Sequence, residues 1–457
     1  MEIWSTDIGN AYIESYTSEK VCIIAGEEFG ELQGHLLIIV QALYGLRTSG
    51  KCWHDRFADV LYDMDFKPCY ADNDVWMRDM GDHHEHIGVY VDDLQIASKD
   101  PKAITDILAG KFEFLLKDVG PMEFHLGCDY SRDEEGVLMQ RPTKYLERIE
   151  AGFVSIFGHP PRHYRGPLEK GDNLELDASP LLDEEGIAQY QSVIGSLQWA
   201  VSLGRFDIGV AVMTLSSFRV APRKGHLDRA KRIVGYLVGM KHGCIRYRTE
   251  DVDLSDCKRS EFDWKGTPYK DAKEELPYNC PEPKGATVDT ITYVDANLYH
   301  NMLTGRSVSG ILHLLGKTPI DWFAKLQNTV ETSTYGSEFV AARIATEQIM
   351  DLRNTLRYMG VPVGRSVMFG DSKVVLASST LPHSQLKKRH NALSYHRVRE
   401  AIAAGIYDFY HIEGAKNPAD ILSKHWGYSD VWRNLQVLLF WQGDTMDLCS
   451  EEDYVDS

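Results

Sequence analysis

One short segment, His86–Ala97, constrains the fold most because it places two adjacent carboxylates between two runs of strand-forming residues. Strand side chains alternate between faces, so the pattern predicts a β-hairpin in which Val89 and Val91 face a core and Asp92 and Asp93 form the two-residue turn. Carboxylates at one tip repel each other unless a cation lies between them, and Mg²⁺ binds carboxylate oxygens together with substrate phosphates. The segment therefore predicts either a divalent-metal site or an ordinary polar turn, in which Asp side chains bond the backbone.

Length and composition indicate an ordinary globular protein. The chain has 457 residues, of which 43% are hydrophobic and 25% charged, enough for two to four domains with real cores. No apolar run approaches the roughly 20 residues of a membrane helix, so we expect no membrane partner. The amino end also lacks the basic start and apolar core of a secretory signal. The eight cysteines form no Cys-x-x-Cys pair, which predicts unpaired thiols in a reduced, intracellular protein.

Net charge at first argues against nucleic acid as a partner, because −18 has the wrong sign for binding phosphate backbones. The acidic residues are concentrated in Glu250–Glu275 and Asp444–Ser457, which we expect to be solvated segments outside the cores. Basic residues cluster in Arg223–Arg232 and Lys387–Arg399. Either basic cluster could contact nucleic acid or simply form a solvated helix face.

Four segments have apolar residues at helical spacing, and we predict a helix in each. They are Cys52–Met64, Ile104–Phe112, Ala188–Ser202 and His226–Met240. The acidic stretch from about Glu250 to Gly285 contains Pro and Gly and reads as a linker or insertion.

A second set of carboxylates follows the linker. Asp295 and Asp371 end predicted strands, Glu338 lies at a helix start, and Asp420 lies in the first turn of a helix that Pro418 opens. Strand ends and helix starts can bring four carboxylates together, and such a site holds two metals for attack of water on a phosphodiester. Taken singly, each acid could also be a turn residue, a solvated helix residue or a residue that favours a helix N-terminus.

Two further segments accompany the hairpin, namely Thr6–Tyr12 and Gln41–Trp53. Together with the hairpin they resemble the palm of a reverse transcriptase. Phe114–Gly127 resembles the copia segment that leads into the primer-gripping hairpin. The Ala-Leu-Tyr-Gly-Leu sequence at Ala42–Leu46 is similar to the copia type of LTR retrotransposon.

The second set of carboxylates resembles the ribonuclease H domain of LTR retrotransposons over about Lys284 to Tyr428, with further likeness at Thr304–Gly310 and Ala419–Lys424. The resemblance implies an α+β reverse transcriptase palm with a thumb or connection region. An α/β ribonuclease H-like domain with a mixed central sheet and flanking helices is expected to follow it. The expected domains are a palm at 1–135, a thumb- or connection-like helical region at 136–249, an acidic linker at 250–285, a ribonuclease H-like domain at 286–430 and an acidic tail at 431–457.

For the polymerase, the resemblance implies Asp7 and Asp92 as the main metal ligands and Asp93 as a supporting charge. The implied substrate-binding residues are Tyr12, Tyr44, Gly45, Arg47 and Tyr90. Tyr12 matches the bulky residue under the incoming sugar, which favours dNTPs, although a buried aromatic at a strand-helix junction is the alternative. Gly45 would let the backbone approach the template-dNTP pair closely, and Arg47 could contact phosphate or be solvated.

For the nuclease, the resemblance implies Asp295, Glu338, Asp371 and Asp420 as the metal-binding and catalytic set. Each of the two active sites would hold two Mg²⁺ or Mn²⁺ ions. The implied partners are an RNA template, a DNA primer, an RNA–DNA hybrid and dNTPs. His411 does not match the family spacing well and is left out of the site, while His390 and His396 receive no chemistry.

Two departures from the family pattern affect the expected function. Asp7 lies six residues from the start, whereas the family places a long fingers segment before this point, and Gly50 stands where the family has Pro. We therefore expect an amino-terminally truncated Pol polyprotein with an impaired polymerase, completed by an oligomer or an upstream Pol segment, in cytoplasmic virus-like particles or the nucleus. A non-catalytic retrotransposon relic that at most binds nucleic acid is the alternative.

Overall fold

The computed structural model describes residues 1–427 except Asp251, Ser260, Glu261 and Lys387, together with Asn434, Leu435, Leu438 and Leu439. Two units are built from non-contiguous parts of the chain. Unit 1 comprises Met1–Leu126, Asn279–Ala286 and Thr355–Val361, and unit 2 comprises the remainder. Apart from those last four residues, the predicted acidic tail lies outside the described residues.

Unit 1 is mainly antiparallel β-structure with two α-helices. Its strands are β1 (Glu2–Ile8), β2 (Cys22–Ile24), β3 (Leu36–Ile38), β4 (Lys67–Pro68), β5 (Val75–Asp79), β6 (His84–Tyr90), β7 (Asp93–Ser98), β8 (Leu116–Pro121) and β9 (Phe124–His125), and its helices are α1 (Ser49–Asp63) and α2 (Pro101–Gly110). Six strands form one sheet in the order β4-β5-β6-β7-β1-β8, while β2 and β3 form a separate hairpin.

Helix α1 packs on this sheet, as its periodicity predicts. Trp53, Phe57 and Leu61 recur at helical spacing and are buried in the core of unit 1, against strand residues that include Ile87 and Leu94. Helix α2 starts three residues before the predicted position because Pro101 suits the first helical position and Asp100 accepts a bond from the Ala103 N–H at 3.1 Å.

The acidic hairpin is present, but its turn lies one residue earlier than predicted. Tyr90 pairs with Asp93, so Val91 and Asp92 are the turn residues and Asp93 belongs to β7. Val91 adopts φ 60°, a left-handed conformation that a β-branched residue rarely takes, and it does not face the core. The Trp53 indole N–H donates to the Val91 carbonyl at 2.6 Å, which fixes this turn against α1.

Among its described residues, unit 2 contains eight α-helices and strands of two sheets. The strands are β10 (Cys128–Arg132), β11 (Leu138–Arg141), β12 (Ile245–Arg246), β13 (Val288–Asn301), β14 (Arg306–Leu315), β15 (Thr318–Leu326), β16 (Val363–Gly370) and β17 (Asp408–His411). Of these, β10, β11 and β12 belong to the smaller sheet. The helices are α3 (Thr143–Phe157), α4 (Glu184–Ser202), α5 (Gly209–Ser216), α6 (Lys224–Gly239), α7 (Thr334–Tyr358), α8 (Lys373–Thr380), α9 (Ala392–Ala403) and α10 (Asp420–Ser423).

The central sheet of unit 2 is mixed and five-stranded, in the order β15-β14-β13-β16-β17. Strand β14 is antiparallel to both of its neighbours, β13 and β15, whereas β16 pairs in parallel with β13 and β17 pairs in parallel with β16. Val294 packs on one face, against a core that includes residues of α7 and α9, and Ile291 packs on the other, with residues of α3 to α6. The predicted mixed sheet with flanking helices is therefore present.

The helices predicted between residues 136 and 249 share this core. Helices α4 and α6 contain the predicted segments, and their buried residues form one cluster with Ile291, Leu312 and Leu314 of the sheet. The predicted domain ranges stay predictions, since the two units follow a different division, with a first boundary at Leu126.

The acidic linker is not the solvated segment that its composition suggested. Its described residues contain no helix or strand, yet Tyr269 is buried and its hydroxyl lies 2.6 Å from Nδ1 of His396. Arg399 stacks on the rings of Tyr269 and Trp264 at 5.3 and 4.9 Å. Aromatic side chains thus attach this part of the chain to unit 2.

Among the helices that the structure describes, none combines the length and the apolar character that crossing a membrane requires. The seven cysteines within the described residues form no disulfide bonds with one another.

Candidate two-metal sites

The three predicted polymerase carboxylates lie together where β1 pairs with strand β7 of the acidic hairpin. Asp7 lies opposite Asp93 in the register of β1 with β7. Asp92 adjoins both, since its carbonyl accepts the Ile8 N–H at 2.9 Å. Two neighbouring strands and a tight turn thereby bring together carboxylates that are far apart in sequence.

The pKa values of Asp7 and Asp93 are both raised in this arrangement. Burial, followed by the charge of Asp92, raises the pKa of Asp7, while Lys117 at 3.8 Å partly opposes the shift. Burial, Asp92 and Asp7 together raise the pKa of Asp93. A divalent cation at this position would relieve the repulsion.

Two of the predicted substrate-binding residues lie beside these carboxylates. The rings of Tyr12 and Tyr44 are 4.4 Å apart, and burial followed by the charge of Asp92 raises the pKa of Tyr44. Gly45 has φ 99°, a backbone conformation that residues with a Cβ rarely adopt. The side chain of Tyr12 is half-buried.

The remaining two predicted substrate-binding residues, Tyr90 and Arg47, are both exposed. Tyr90 is exposed at the end of β6, next to the turn. Arg47 is exposed, and its charge contributes to lowering the pKa of Glu19, after hydrogen bonds from Thr48. A cavity of about 430 Å³ opens beside Asp7 and Asp93 and is also lined by residues of β8 and β9.

The second candidate site lies at the central strand β13 of the mixed sheet of unit 2 and at the end of its neighbour β16. Ligand oxygens of Asp295, Glu338 and Asp371 all lie within 4.8 Å of one another. Asp295 projects from the middle of β13 rather than from its end, because β13 continues to Asn301. The parallel register pairs Val294 with Gly370, so Asp371, the next residue after β16, lies level with Asp295.

Asp420 completes the predicted set from the first turn of α10. Its carboxylate lies 2.5 Å from the ammonium of Lys424, which is also 3.2 Å from Asp295. The hydroxyl of Ser423 donates to the same Asp295 oxygen. The other three predicted nuclease carboxylates therefore lie around Asp295, which is itself only 1% exposed.

The electrostatics of this site favour protons or metal ions. Burial, and then repulsion from Asp295 and Asp371, raises the pKa of Glu338 well above its ordinary value. Burial and Asp295 also raise the pKa of Asp371. The pKa of Asp420 is raised to about 6 by burial and Asp295, although Lys424 opposes the shift. Carboxylates held this close in a buried position match the oxygen donors that Mg²⁺ and Mn²⁺ prefer.

Several residues that position this site were not assigned a role from the sequence. Gly310 lies opposite Asp295 on β14, and a Cβ there would come within 2.7 Å of the Ala419 carbonyl. Asn417 is buried and donates to the Val294 carbonyl at 3.0 Å. His411 pairs with Gly370, and its charge lowers the pKa of Asp371, against the larger effect of burial. The Ala419–Lys424 motif could have drawn attention to Lys424, but its contact with Asp295 depends on the tertiary fold.

Comparison with known proteins finds a family match in the first third of the chain. Residues 1–154 match the family described as reverse transcriptase (RNA-dependent DNA polymerase). The reverse transcriptase match includes Asp7, Asp92 and Asp93, and it ends inside helix α3 of unit 2.

Similarity to retrotransposon proteins extends beyond the reverse transcriptase match. The chain is 26% identical over 437 residues to the Pol polyprotein from transposon TNT 1-94 of Nicotiana tabacum, covering 93% of this chain and 30% of the relative. It is 25% identical over 426 residues to the Pol polyprotein from transposon RE1 of Arabidopsis thaliana, covering 92% and 26%. The chain thus spans less than a third of the length of these relatives. The predicted resemblance to retrotransposon Pol polyproteins is confirmed.

A solved structure of the foamy viral protease-reverse transcriptase in complex with an RNA/DNA hybrid is also similar to this chain. The TM-score is 0.42 at 12% sequence identity, covering 90% of this chain and 44% of that chain.

Proposed function

We propose that this chain is a retrotransposon RNA-directed DNA polymerase with ribonuclease H activity, and that unit 2 cleaves the RNA strand of RNA–DNA hybrids. The observation that carries the proposal is the group of three carboxylates, Asp295, Glu338 and Asp371, within 4.8 Å of one another, with Asp420 beside it. In this assignment the six-stranded sheet of unit 1 is the palm, and helices α3 to α6 are the thumb or connection.

The donor set of unit 2 fits two divalent cations. Asp295, Glu338 and Asp371 would hold one, and Asp295 and Asp420 would hold the other. Bound Mg²⁺ or Mn²⁺ would make water a stronger nucleophile and would neutralise charge on the leaving oxygen. The protein holds the carboxylates in place through the strand register of β13 with β16 and the packing of α10 on β14.

A polymerase function is supported by the carboxylates of unit 1. Asp7 and Asp92 would hold the cations, with Asp93 as a nearby charge, and Tyr12 and Tyr44 would form the wall beside an incoming dNTP. The cavity beside Asp7 and Asp93 offers space for the end of a primer. The RNA template, the DNA primer and dNTPs are the corresponding substrates of this second proposed activity.

The first prediction tests the nuclease with Asp371→Asn. We expect Mg²⁺-dependent cleavage of a labelled RNA strand in a hybrid to fall by about a thousandfold, because the substitution removes charge from a site that works by electrostatic stabilisation. Gel analysis of the products measures the rate, and EDTA should abolish cleavage by the unchanged protein.

Two controls separate this effect from misfolding or contamination. Asp351→Asn makes the same chemical change at an exposed position of α7 and should leave cleavage unchanged. Asp92→Asn changes only the unit 1 site and should also leave cleavage intact. Equal cleavage by Asp371→Asn and the unchanged protein would refute the nuclease assignment.

A further inference from the structure

Lys424 is the cation that the described structure places among the nuclease carboxylates. Its ammonium lies 2.5 Å from Oδ1 of Asp420 and 3.2 Å from Oδ2 of Asp295. Asp420 and Lys424 are separated by one helical turn, so α10 presents both to Asp295. The ammonium is therefore shared by two of the four carboxylates that would bind metal.

The other carboxylates are arranged differently. Asp295, which pairs with Lys424, also lies beside Glu338 and Asp371. One oxygen from each of these three acids lies within 4.8 Å of the other two. The ion pairs of Lys424 involve Asp420 and Asp295 rather than Glu338 or Asp371. One half of the site thus has carboxylates facing one another, and the other half has carboxylates bridged by an ammonium.

We propose that Lys424 occupies the place of one of the two divalent cations in the metal-free chain, so that the two cations bind unequally. This inference rests on the proposed nuclease function. The first cation binds between Asp295, Glu338 and Asp371, of which only Asp295 forms an ion pair with Lys424. The second binds between Asp295 and Asp420 and must first displace Lys424.

The side chain of Lys424 is suited to such an exchange. It is 40% exposed, so the ammonium can move into solvent without crossing the core. Lysine carries a compact charge on a flexible stem, whereas an arginine would bridge two carboxylates more rigidly. Ser423 still donates to Asp295 after the ammonium has moved, so the carboxylate keeps its position.

The test is a titration of the full chain with Mn²⁺, followed by electron paramagnetic resonance. With the unit 1 ligands removed from every sample by Asp7→Asn and Asp92→Asn, the otherwise unchanged protein should bind two ions with clearly different affinities. In Lys424→Met the weaker site should tighten by about tenfold, which corresponds to about 1.4 kcal/mol, because no ammonium competes for it. Lys317→Met is the matched control, because Lys317 is 42% exposed and pairs with Glu250 elsewhere in unit 2.

The outcomes separate this inference from the proposed function. Two Mn²⁺ sites with the same affinities in Lys424→Met and in the unchanged protein would overturn the inference while leaving the nuclease assignment intact. A chain that binds no Mn²⁺ in unit 2 would instead refute the proposed function.

A measurement on the unchanged protein applies even if the variant does not fold. Reductive methylation followed by mass spectrometry reports the reactivity of each lysine amine. Lys424 should be protected without Mg²⁺ and become several times more reactive at saturating Mg²⁺, relative to Lys317. Equal reactivity of Lys424 under both conditions would overturn the inference.

Discussion

At the residue scale, the behaviour of the nuclease site depends on how many protons its carboxylates hold. The pKa of Asp420 is raised from 3.8 to about 6, chiefly by burial and by Asp295. The folded chain then binds more protons than the unfolded chain between these two values. Stability from this group is present below about pH 4 and is lost as pH rises through about 6.

The second prediction follows from this loss of stability as pH rises. Metal ions compete with protons for the same oxygens, so the increase in Tm caused by Mg²⁺ should grow as pH rises through about 6. Thermal melts in Mg²⁺ and in EDTA, recorded on both sides of that pH, measure the difference. Asp420→Asn should reduce this pH dependence, and an Mg²⁺ effect of the same size at every pH would contradict the prediction.

The sequence identified individual carboxylates better than it identified their surroundings. Asp7, Asp92 and Asp93 meet as expected, because alternation and the family motif define them. The turn was wrong by one residue, since nothing in the sequence indicates that Val91 takes φ 60°. Lys424 had no assigned role, because its contact with Asp295 crosses more than a hundred residues of chain.

At the element scale, α10 lies directly on β14 because residue 310 has no side chain. A Cβ on Gly310 would lie 2.7 Å from the Ala419 carbonyl and 2.8 Å from the Ser423 N–H nitrogen. Since α10 carries Asp420 and Lys424, the spacing between this helix and the sheet sets the geometry of the site.

The third prediction concerns Gly310→Ala. The added methyl group should push α10 away from Asp295, lowering hybrid cleavage by about a hundredfold and the free energy of unfolding by about 1–3 kcal/mol. Rate measurements and denaturant unfolding test the two effects separately. Gly152→Ala is the control, because a Cβ at that exposed position of α3 meets nothing within 4 Å and should not affect cleavage. Unchanged cleavage in Gly310→Ala would show that α10 can shift without cost.

Helices with a clear apolar stripe could be predicted from the sequence, whereas irregular segments could not. Residues Trp53, Phe57 and Leu61 define α1 through their spacing alone. The segment around Tyr269 has no such period, and its acidic composition suggested a solvated linker. Its attachment depends on Arg399, which a sequence reading assigned to a basic cluster and which is in fact buried.

At the scale of the whole molecule, the two basic clusters of the sequence contain arginines that bond within the protein. Within the first basic cluster, Arg229 pairs with Asp172 and Asp177, and Arg232 pairs with Glu169. In the second, Arg399 donates to the Ser378 and Leu381 carbonyls, while Lys387 lies outside the described residues. These three arginines bond to groups within unit 2, so the described residues of neither cluster form a continuous basic surface.

The fourth prediction concerns the structural role of the acidic segment. Tyr269→Ala should lower the free energy of unfolding by about 2–4 kcal/mol, since it removes a buried ring that contacts Arg399 and His396. Tyr278→Ala, in the same segment, removes a ring that is 83% exposed and should change stability by less than about 0.5 kcal/mol. Equal effects of the two substitutions in urea unfolding would show that the segment is a simple linker.

The division of the chain also has a consequence for biosynthesis. Unit 1 begins at Met1 but includes Asn279–Ala286 and Thr355–Val361. Domains generally fold from the amino end while translation continues. Here the first unit cannot acquire its last segment until the ribosome has released Val361, after most of unit 2 has been synthesised. Nascent chains that stop between Leu126 and Val361 should therefore hold unit 1 in an incomplete form that chaperones can recognise.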